Sequence, residues 1–226
     1  MTDTTVTPTN AEGEQTFSAA LRAVTWGDHQ KAESAPFMQA IMRGTASRDD
    51  YAQLVAQHYF AYIELEAAND AMRDDAIASA FVFDELTRVP ALRDDLAFLL
   101  GDDWESKISP TEATTAYCDR LREVGASWPG GWVAHHYTRY LGDLSGGQYV
   151  GRAVEKIFEL PNHQGASFYH FDEIEDPTAF KDNYRGLLDT AGWSADEQAR
   201  IIDEIRVAYE LNTRVLLSRE ATRKGI

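Results

Sequence analysis

The sequence contains little that could crosslink the chain, export it or hold it in a membrane. It has a single cysteine, Cys118, among 226 residues, so no disulfide can form within the chain, as is typical of a reducing compartment. No apolar run approaches the roughly 20 residues that span a bilayer. The first residues, MTDTTVTPTNAEGEQ, lack the basic start and the apolar stretch of a secretion signal. We therefore expect a cytoplasmic protein without a membrane anchor.

Positive charge is also scarce. Lys and Arg number 21 against 37 Asp and Glu, which gives a formal net charge of −16. Such a surface repels polyanions, which argues against nucleic acid and anionic membranes as partners. A redox partner protein would instead dock electrostatically on the acidic surface through a basic face of its own. The chain itself is expected to be a monomer.

Apolar residues recur at helical spacing through most of the chain, and no segment shows the period-two alternation of a strand. Helix starts are marked by capping serines such as Ser47 and Ser194. These signals predict an all-α protein with one domain of roughly seven to nine helices over residues 15–220. A disordered tail, residues 1–14, is expected before it, and a short tail, residues 221–226, after it.

Several catalytic motifs are missing. The sequence has no P-loop, no GxGxxG after a strand, no HExxH and no CxxC. It also lacks the paired Glu-x-x-His segments of a di-iron bundle. Ser145 could in principle belong to a nucleophilic triad, but its helical context offers no nucleophile elbow.

One helical segment, HHYTRYLGDLSGGQYVGRAV (135–154), carries glycine where helices usually avoid it. Each interior glycine costs about 1 kcal/mol relative to alanine, yet Gly142, Gly146 and Gly147 occur within six residues. Two protein helices that cross closely would explain the glycines, and so would a kink. A flat ligand that approaches the helix backbone would explain them equally, since polar Asp143 lies among them.

A second feature lies in the first predicted helix. Within DHQKAESAPFM, His29 and Glu33 are four residues apart and therefore share one helix face. A carboxylate that accepts one imidazole N–H leaves the other ring nitrogen free to bind a metal. A pair of this kind can also be an ordinary surface contact.

Four segments together resemble heme oxygenases, in particular bacterial members of that family. VAHHYTRYLGDLSGGQYVGR resembles the signature region, and DHQKAESAPFM resembles the segment with the proximal histidine. FYHFDEIEDPTAFKDNYRGLLD and RVAYELNTRVL are similar to later helices of the family. The resemblance covers roughly residues 15 to 220, with the segments in the family's order.

This resemblance implies that heme b lies between a proximal N-terminal helix and a glycine-kinked distal helix. His29 would be the proximal ligand of the iron, with Glu33 hydrogen-bonded to its other nitrogen. Gly142, Gly146 and Gly147 would line the distal face. Asp143 would hold water beside bound oxygen. The polar network behind it would contain Tyr62, Arg139 and Asn212.

The resemblance also implies contacts to the propionates and edge of the heme. The residues expected to provide them are Arg22, Tyr137, Ser145, Lys181 and Arg185. Lys181 and Arg185 share one helix face, and paired cations suit two carboxylates, although such a pair can also be a solvated face. Arg22 departs from the family, which often has lysine at that position.

The implied activity is O₂-dependent cleavage of heme to biliverdin, CO and Fe²⁺. Electrons would come from a separate ferredoxin- or NAD(P)H-linked reductase, and the purpose would be iron acquisition from heme. One alternative is a non-catalytic heme carrier of the same fold. Another is a thiaminase-like helical enzyme, which would need a nucleophilic cysteine, and Cys118 has no base at a suitable spacing.

Overall fold

The computed structural model describes residues 15–225; the tail predicted over residues 1–14 lies outside them. Ten α-helices form the described part of the chain, and no β-strand is assigned within it, so the predicted all-α fold is confirmed. The helices are α1 Phe17–Glu33, α2 Pro36–Met42, α3 Arg48–Ala67, α4 Asn69–Arg73, α5 Val89–Leu100, α6 Glu112–Ser127, α7 Pro129–Gly142, α8 Gln148–Phe158, α9 Pro177–Thr190 and α10 Ala195–Lys224.

Side-chain caps place the starts of the helices that frame the interior. Ser47 Oγ accepts from the Asp50 amide at 3.0 Å, while the Asp50 carboxylate accepts from the Ser47 amide at 2.9 Å, a complete capping box for α3. Ser194 caps α10 in the same sense, and Asp176 accepts from two amides at the start of α9. The starts of α3 and α10 are therefore encoded locally, as the sequence predicts.

The longest helix organises the packing. α10 lies against α1, α2, α3, α6 and α7, while α3 packs between α5 and α6. The core between them is rich in large aromatic side chains that are almost completely buried, among them Trp132, Tyr51, Tyr62 and Tyr184. None of the described helices is both long and apolar enough to cross a membrane.

The glycine segment is helical throughout but changes its winding. α7 ends at Gly142, a π turn follows over Asp143–Gly147, and α8 continues from Gln148. A π turn adds a residue to the turn and is frequent at functional sites. The predicted break in this helix is therefore a local widening, since the backbone angles of Gly142, Asp143, Gly147 and Gln148 remain helical.

The carboxy-terminal boundary differs from the prediction. α10 continues to Lys224, so residues 221–224, expected in a tail, are helical. The Glu220 carboxylate lies 2.9 Å from the Arg223 guanidinium and 2.8 Å from the Lys224 ammonium group. These i, i+3 and i, i+4 ion pairs connect successive turns of the helix. Basic side chains in the last turn also suit the helix dipole.

Candidate active site

A cleft of about 390 Å³ lies between α1 and the segment formed by α7, the π turn and α8. We call the α1 side, with His29 and Glu33, the proximal wall. The distal wall consists of Gly142 and the π turn that follows it, which contains Gly146. Side chains from α2, α3 and α10 close the remaining sides. A volume of this size is ordinary for a small-molecule site.

The proximal wall is held by aromatic packing. The His29 ring stacks on Trp26 with centroids 5.5 Å apart and meets the edge of Tyr209 at 6.1 Å. His29 Nδ1 is buried and has no hydrogen-bond partner within the described residues. The Glu33 carboxylate is 3.6 Å from it, which is longer than a hydrogen bond. The expected His29–Glu33 hydrogen bond is therefore not formed in this structure.

Glu33 reaches towards the distal wall instead. A Cβ atom on Gly146 would lie 3.4 Å from Glu33 Oε1. The proximal and distal walls thus approach each other where Glu33 faces Gly146. If the Glu33 side chain rotated back along α1, its carboxylate would come within hydrogen-bonding distance of His29 Nδ1.

The glycines divide into two groups by what surrounds them. A Cβ on Gly142 would meet nothing within 4 Å, and at Gly146 only Glu33 is near, so both leave open space in the cleft. Gly147 also lines the cleft, but a Cβ there would contact Asp143 and Tyr169. A Cβ on Gly151 would lie 2.6 Å from the Tyr169 Cβ. Close packing therefore explains Gly151, whereas Gly142 and Gly146 leave room that a flat ligand could use.

Behind the distal wall, polar groups form a connected network. The Tyr62 hydroxyl donates a hydrogen bond to the Asp143 carboxylate. Arg139 is buried, and its guanidinium lies 4.8 Å above the Tyr62 ring. The same guanidinium donates to Asn212 Oδ1 at 2.7 Å and to His58 Nδ1 at 2.8 Å. The structure thus brings together the four network residues expected from the sequence, of which Tyr62 alone does not line the cleft.

The carboxylate of this network has an altered acidity. Burial raises the pKa of Asp143 to about 6, although Arg139 and the Tyr62 hydroxyl both oppose the shift. Removal of a carboxylate from water disfavours its charged form, which is the dominant cause. Asp143 therefore exchanges its proton close to neutral pH, within a cleft that a ligand can enter.

His58 was overlooked by the sequence analysis. Its ring lines the cleft and stacks on Phe168 with centroids 5.3 Å apart. Burial and the neighbouring Arg139 hold the pKa of His58 well below its ordinary value. Because Nδ1 accepts from Arg139, the neutral ring carries its proton on Nε2. Its position four residues before Tyr62 on α3 could have indicated that both share one helix face.

The predicted contacts to propionates form a separate group that does not line the cleft. Burial raises the pKa of Tyr137, and the nearby cations Arg185 and Arg22 oppose that shift, so these three side chains lie close together. Lys181 Nζ donates to Ser145 Oγ at 2.9 Å. Ser145 is exposed and holds Lys181 through this hydrogen bond, and its expected contact with heme remains a prediction.

The other histidines of the α7 segment are part of the core. His135 Nε2 lies 2.8 Å from Glu204, and His136 Nδ1 lies 2.9 Å from the Tyr184 hydroxyl. Burial lowers the pKa of His136 to about 3. Of the six histidines, all of which lie within residues 15–225, only His29 and His58 line the cleft.

Comparison with known proteins gives a consistent result. The heme oxygenase family profile matches residues 15–218. The chain belongs to the heme oxygenase family. It is 38% identical over 199 residues to heme oxygenase 2 of the cyanobacterium Synechocystis sp., which covers 87% of this chain and 80% of that protein.

Solved structures of the heme oxygenase family agree with this assignment. The heme complex of heme oxygenase-1 from Synechocystis sp. superimposes with a TM-score of 0.88 at 34% identity, over 93% of this chain and 95% of the other. Heme oxygenase-2 of the same organism, in complex with heme and NO, gives a TM-score of 0.88 at 36% identity, over 93% and 88% of the two chains. The family resemblance stated from the sequence is thus confirmed.

Proposed function

We propose that this chain cleaves heme oxidatively to biliverdin, CO and Fe²⁺, with O₂ and electrons from a separate reductase. The observation that carries the proposal is the juxtaposition of His29 with an open glycine wall across one cleft. Asp143 belongs to the same wall and is hydrogen-bonded to the polar network behind it. A family assignment alone would not distinguish an active site from a degenerate one.

The residues of the cleft fit a heme group. The buried and unpartnered His29 Nδ1 is the kind of polar atom that acquires a partner when a metal-bound imidazole is oriented. With Nδ1 turned to Glu33, the other ring nitrogen is available to iron. Gly142 leaves room where a side chain would otherwise stand, which suits the close approach of a flat macrocycle.

Bound heme supplies a redox-active iron at which O₂ is activated, together with the ring that is cleaved. The contribution of the chain is to fix and surround that group. His29 provides a neutral imidazole nitrogen, and Glu33, after rotation, fixes the imidazole by accepting from Nδ1. Gly142 and Gly146 let the distal helix cover the face of the ring. The distal wall thereby limits the space and the water beside the reacting carbon.

Asp143 is proposed to hold the water through which a proton is delivered at the distal wall. With a pKa near 6, its carboxylate is mostly ionised at pH 7 but is protonated readily. The Tyr62 hydroxyl donates to one oxygen of the carboxylate. In the ionised form the other oxygen can accept from water and so orient it. Arg139 and Asn212 restrict where the carboxylate can turn. We assign no direct contact between Asp143 and iron.

The cations beside Tyr137 are proposed to bind the propionates. Arg22 and Arg185 flank the Tyr137 ring, and burial and the neighbouring Arg185 lower the pKa of Lys181. Because the Lys181 ammonium group is partly removed from water, it would gain Coulomb energy if it bound a propionate carboxylate in place of the Ser145 hydroxyl. These contacts would fix the rotation of heme in its plane, and hence which meso carbon is attacked.

Three further expectations accompany this proposal. The reductase, whether ferredoxin- or NAD(P)H-linked, docks on the acidic surface of a monomeric chain, as the net charge of −16 suggests. The protein acts in the cytoplasm, as its single cysteine suggests. Its product iron supplies the cell.

The test is a titration with hemin followed by reduction in air. One equivalent should bind with a Soret band typical of imidazole ligation, and ascorbate or a reductase should convert that band into biliverdin absorption and bound CO. A Soret band that persists through repeated reduction would establish the heme-carrier alternative. Failure to bind hemin would exclude both.

A further inference from the structure

Three side chains outside the cleft form a compact cluster. Glu155 lies on α8, while His163 and His170 flank the segment that returns along that helix. His163 Nδ1 is 2.6 Å from Glu155 Oε1, and His170 Nε2 is 2.8 Å from the same oxygen. The centroids of the two imidazole rings are only 3.7 Å apart. Nothing in the proposed heme chemistry uses these residues.

The geometry of the cluster is that of a set of metal ligands. One nitrogen from each ring and one carboxylate oxygen lie within 4.8 Å of one another. Around a tetrahedral ion with bonds of roughly 2.0–2.1 Å, neighbouring donor atoms stand about 3.3 Å apart. A small opening of the two hydrogen bonds is therefore enough to admit an ion.

We propose that Glu155, His163 and His170 bind one divalent first-row transition metal ion. Two imidazoles and one carboxylate form the ligand set of catalytic zinc sites and of non-heme Fe²⁺ sites, whereas Ca²⁺ and Mg²⁺ prefer oxygen ligands alone. The exposed fractions of the three side chains are 19% for Glu155, 58% for His163 and 27% for His170. The ion therefore enters from solvent and keeps water at its remaining positions.

Such an ion would act on the wall of the cleft. His170 directly follows Tyr169, which lines the cleft and packs against Gly147 and Gly151. The same segment is already held at Asp95, whose carboxylate accepts from the amides of Ser167 and Phe168 at 2.8 Å. A metal would add a second attachment, to α8. The site is thus coupled to heme binding through one peptide segment, but does not require heme to form.

Cobalt is the probe, because Co²⁺ takes zinc ligand sets and reports them by visible absorption. The heme-free full-length chain is titrated with Co²⁺ near neutral pH, and thermal unfolding is followed with and without Zn²⁺. We expect one equivalent of Co²⁺ to bind with absorption typical of low coordination number, and Zn²⁺ to raise the Tm by mass action. Glu155→Gln, His163→Ala and His170→Ala should each weaken binding at least about tenfold, since even groups that only orient a ligand affect affinity by roughly 10–100-fold.

Two control variants make the result specific. Glu159→Gln removes an exposed carboxylate one turn further along from Glu155, and His29→Ala removes the histidine of the proximal wall. Both should bind Co²⁺ as the parent does. No cobalt absorption in the parent chain, or binding lost in His29→Ala and kept in Glu155→Gln, would overturn the proposal. Because His163 is largely exposed, His163→Ala also reports on the ligand without loss of the fold.

Discussion

The distal wall of the cleft is held by buried hydrogen bonds, whereas the proximal wall is held mainly by stacking at a partly exposed histidine. Asp143, Tyr62 and Arg139 are linked to each other and to α10 through Asn212. His29 is 31% exposed, Glu33 is 59% exposed, and the two do not form a hydrogen bond. In the proposed function, the distal wall is thus preorganised by the fold, while the proximal wall would be completed when heme binds.

The largest expected effect on activity comes from a substitution in the proximal wall, which has fewer hydrogen bonds. His29→Ala should lose the imidazole-heme spectrum and most of the turnover, because no other histidine on the proximal side lines the cleft. Heme should still bind, since the apolar lining and the propionate cations remain. The measurements are the absorption spectrum and biliverdin yield, with added imidazole expected to restore part of both.

Gln30→Ala, at the exposed neighbouring position on α1, is the matched control and should behave as the parent does. An unchanged spectrum in His29→Ala would contradict the assignment. The ligand would then have to be another histidine, and His58 is the one that also lines the cleft.

The two groups of glycines provide the next comparison. Gly142→Leu adds volume to open space in the cleft, so its cost, typically about 1–3 kcal/mol, should fall on heme affinity. Gly151→Ala forces a Cβ against Tyr169, so its cost should fall on stability. Heme titration and thermal unfolding of both variants separate the two effects. Equal losses of stability with unchanged heme affinity would mean that Gly142 also serves helix packing.

The propionate cations should affect orientation more than rate. With Lys181 and Arg185 both replaced by alanine, heme is expected to rotate about the iron axis and yield mixed biliverdin isomers. Chromatography of the products measures the mixture. Asp182→Ala, which removes only the partner of Arg185, is the control and should keep a single isomer. One unchanged isomer from the double variant would show that the shape of the cleft sets orientation.

The smallest effect concerns pH and the heme-free protein. The pKa of Asp143 is raised to about 6 from an ordinary 3.8, so the folded chain binds the proton more tightly than the unfolded chain. Stability from this group therefore increases as pH falls from 7 to 5, by about 1 kcal/mol. Denaturant unfolding at both pH values should show a smaller increase in Asp143→Asn than in the parent. Equal increases would mean that the carboxylate titrates normally.

Much of this arrangement is readable from the sequence because it rests on local spacing. The i, i+4 pair of His29 and Glu33 and the run of glycines around Asp143 both mark one face of a helix. Capping residues such as Ser47 and Ser194 fix where helices begin. The family resemblance adds the expectation that the face with His29 and the face with the glycines lie opposite each other. These parts of the fold and of the cleft were therefore predictable.

The remainder depends on contacts between residues far apart in sequence. His58 joins the site through Phe168 and through Arg139, which is 81 residues away in the sequence. The Glu155 cluster forms because the chain turns back over α8, with positive φ angles at Asn162 and His163. The hydrogen bond from Lys181 to Ser145 joins residues 36 positions apart. Tertiary packing decides each of these, and spacing alone does not encode it.

The most direct test of the central claim uses Asp143→Ala. The account predicts nearly normal hemin affinity, because His29 and the propionate cations are untouched, together with a loss of biliverdin formation of roughly 10²–10⁴-fold, the usual range for a lost proton-transfer group. Asp143→Asn should be milder, since its amide still holds water. A biliverdin yield in Asp143→Ala equal to that of the parent, at equal hemin occupancy, would contradict the account.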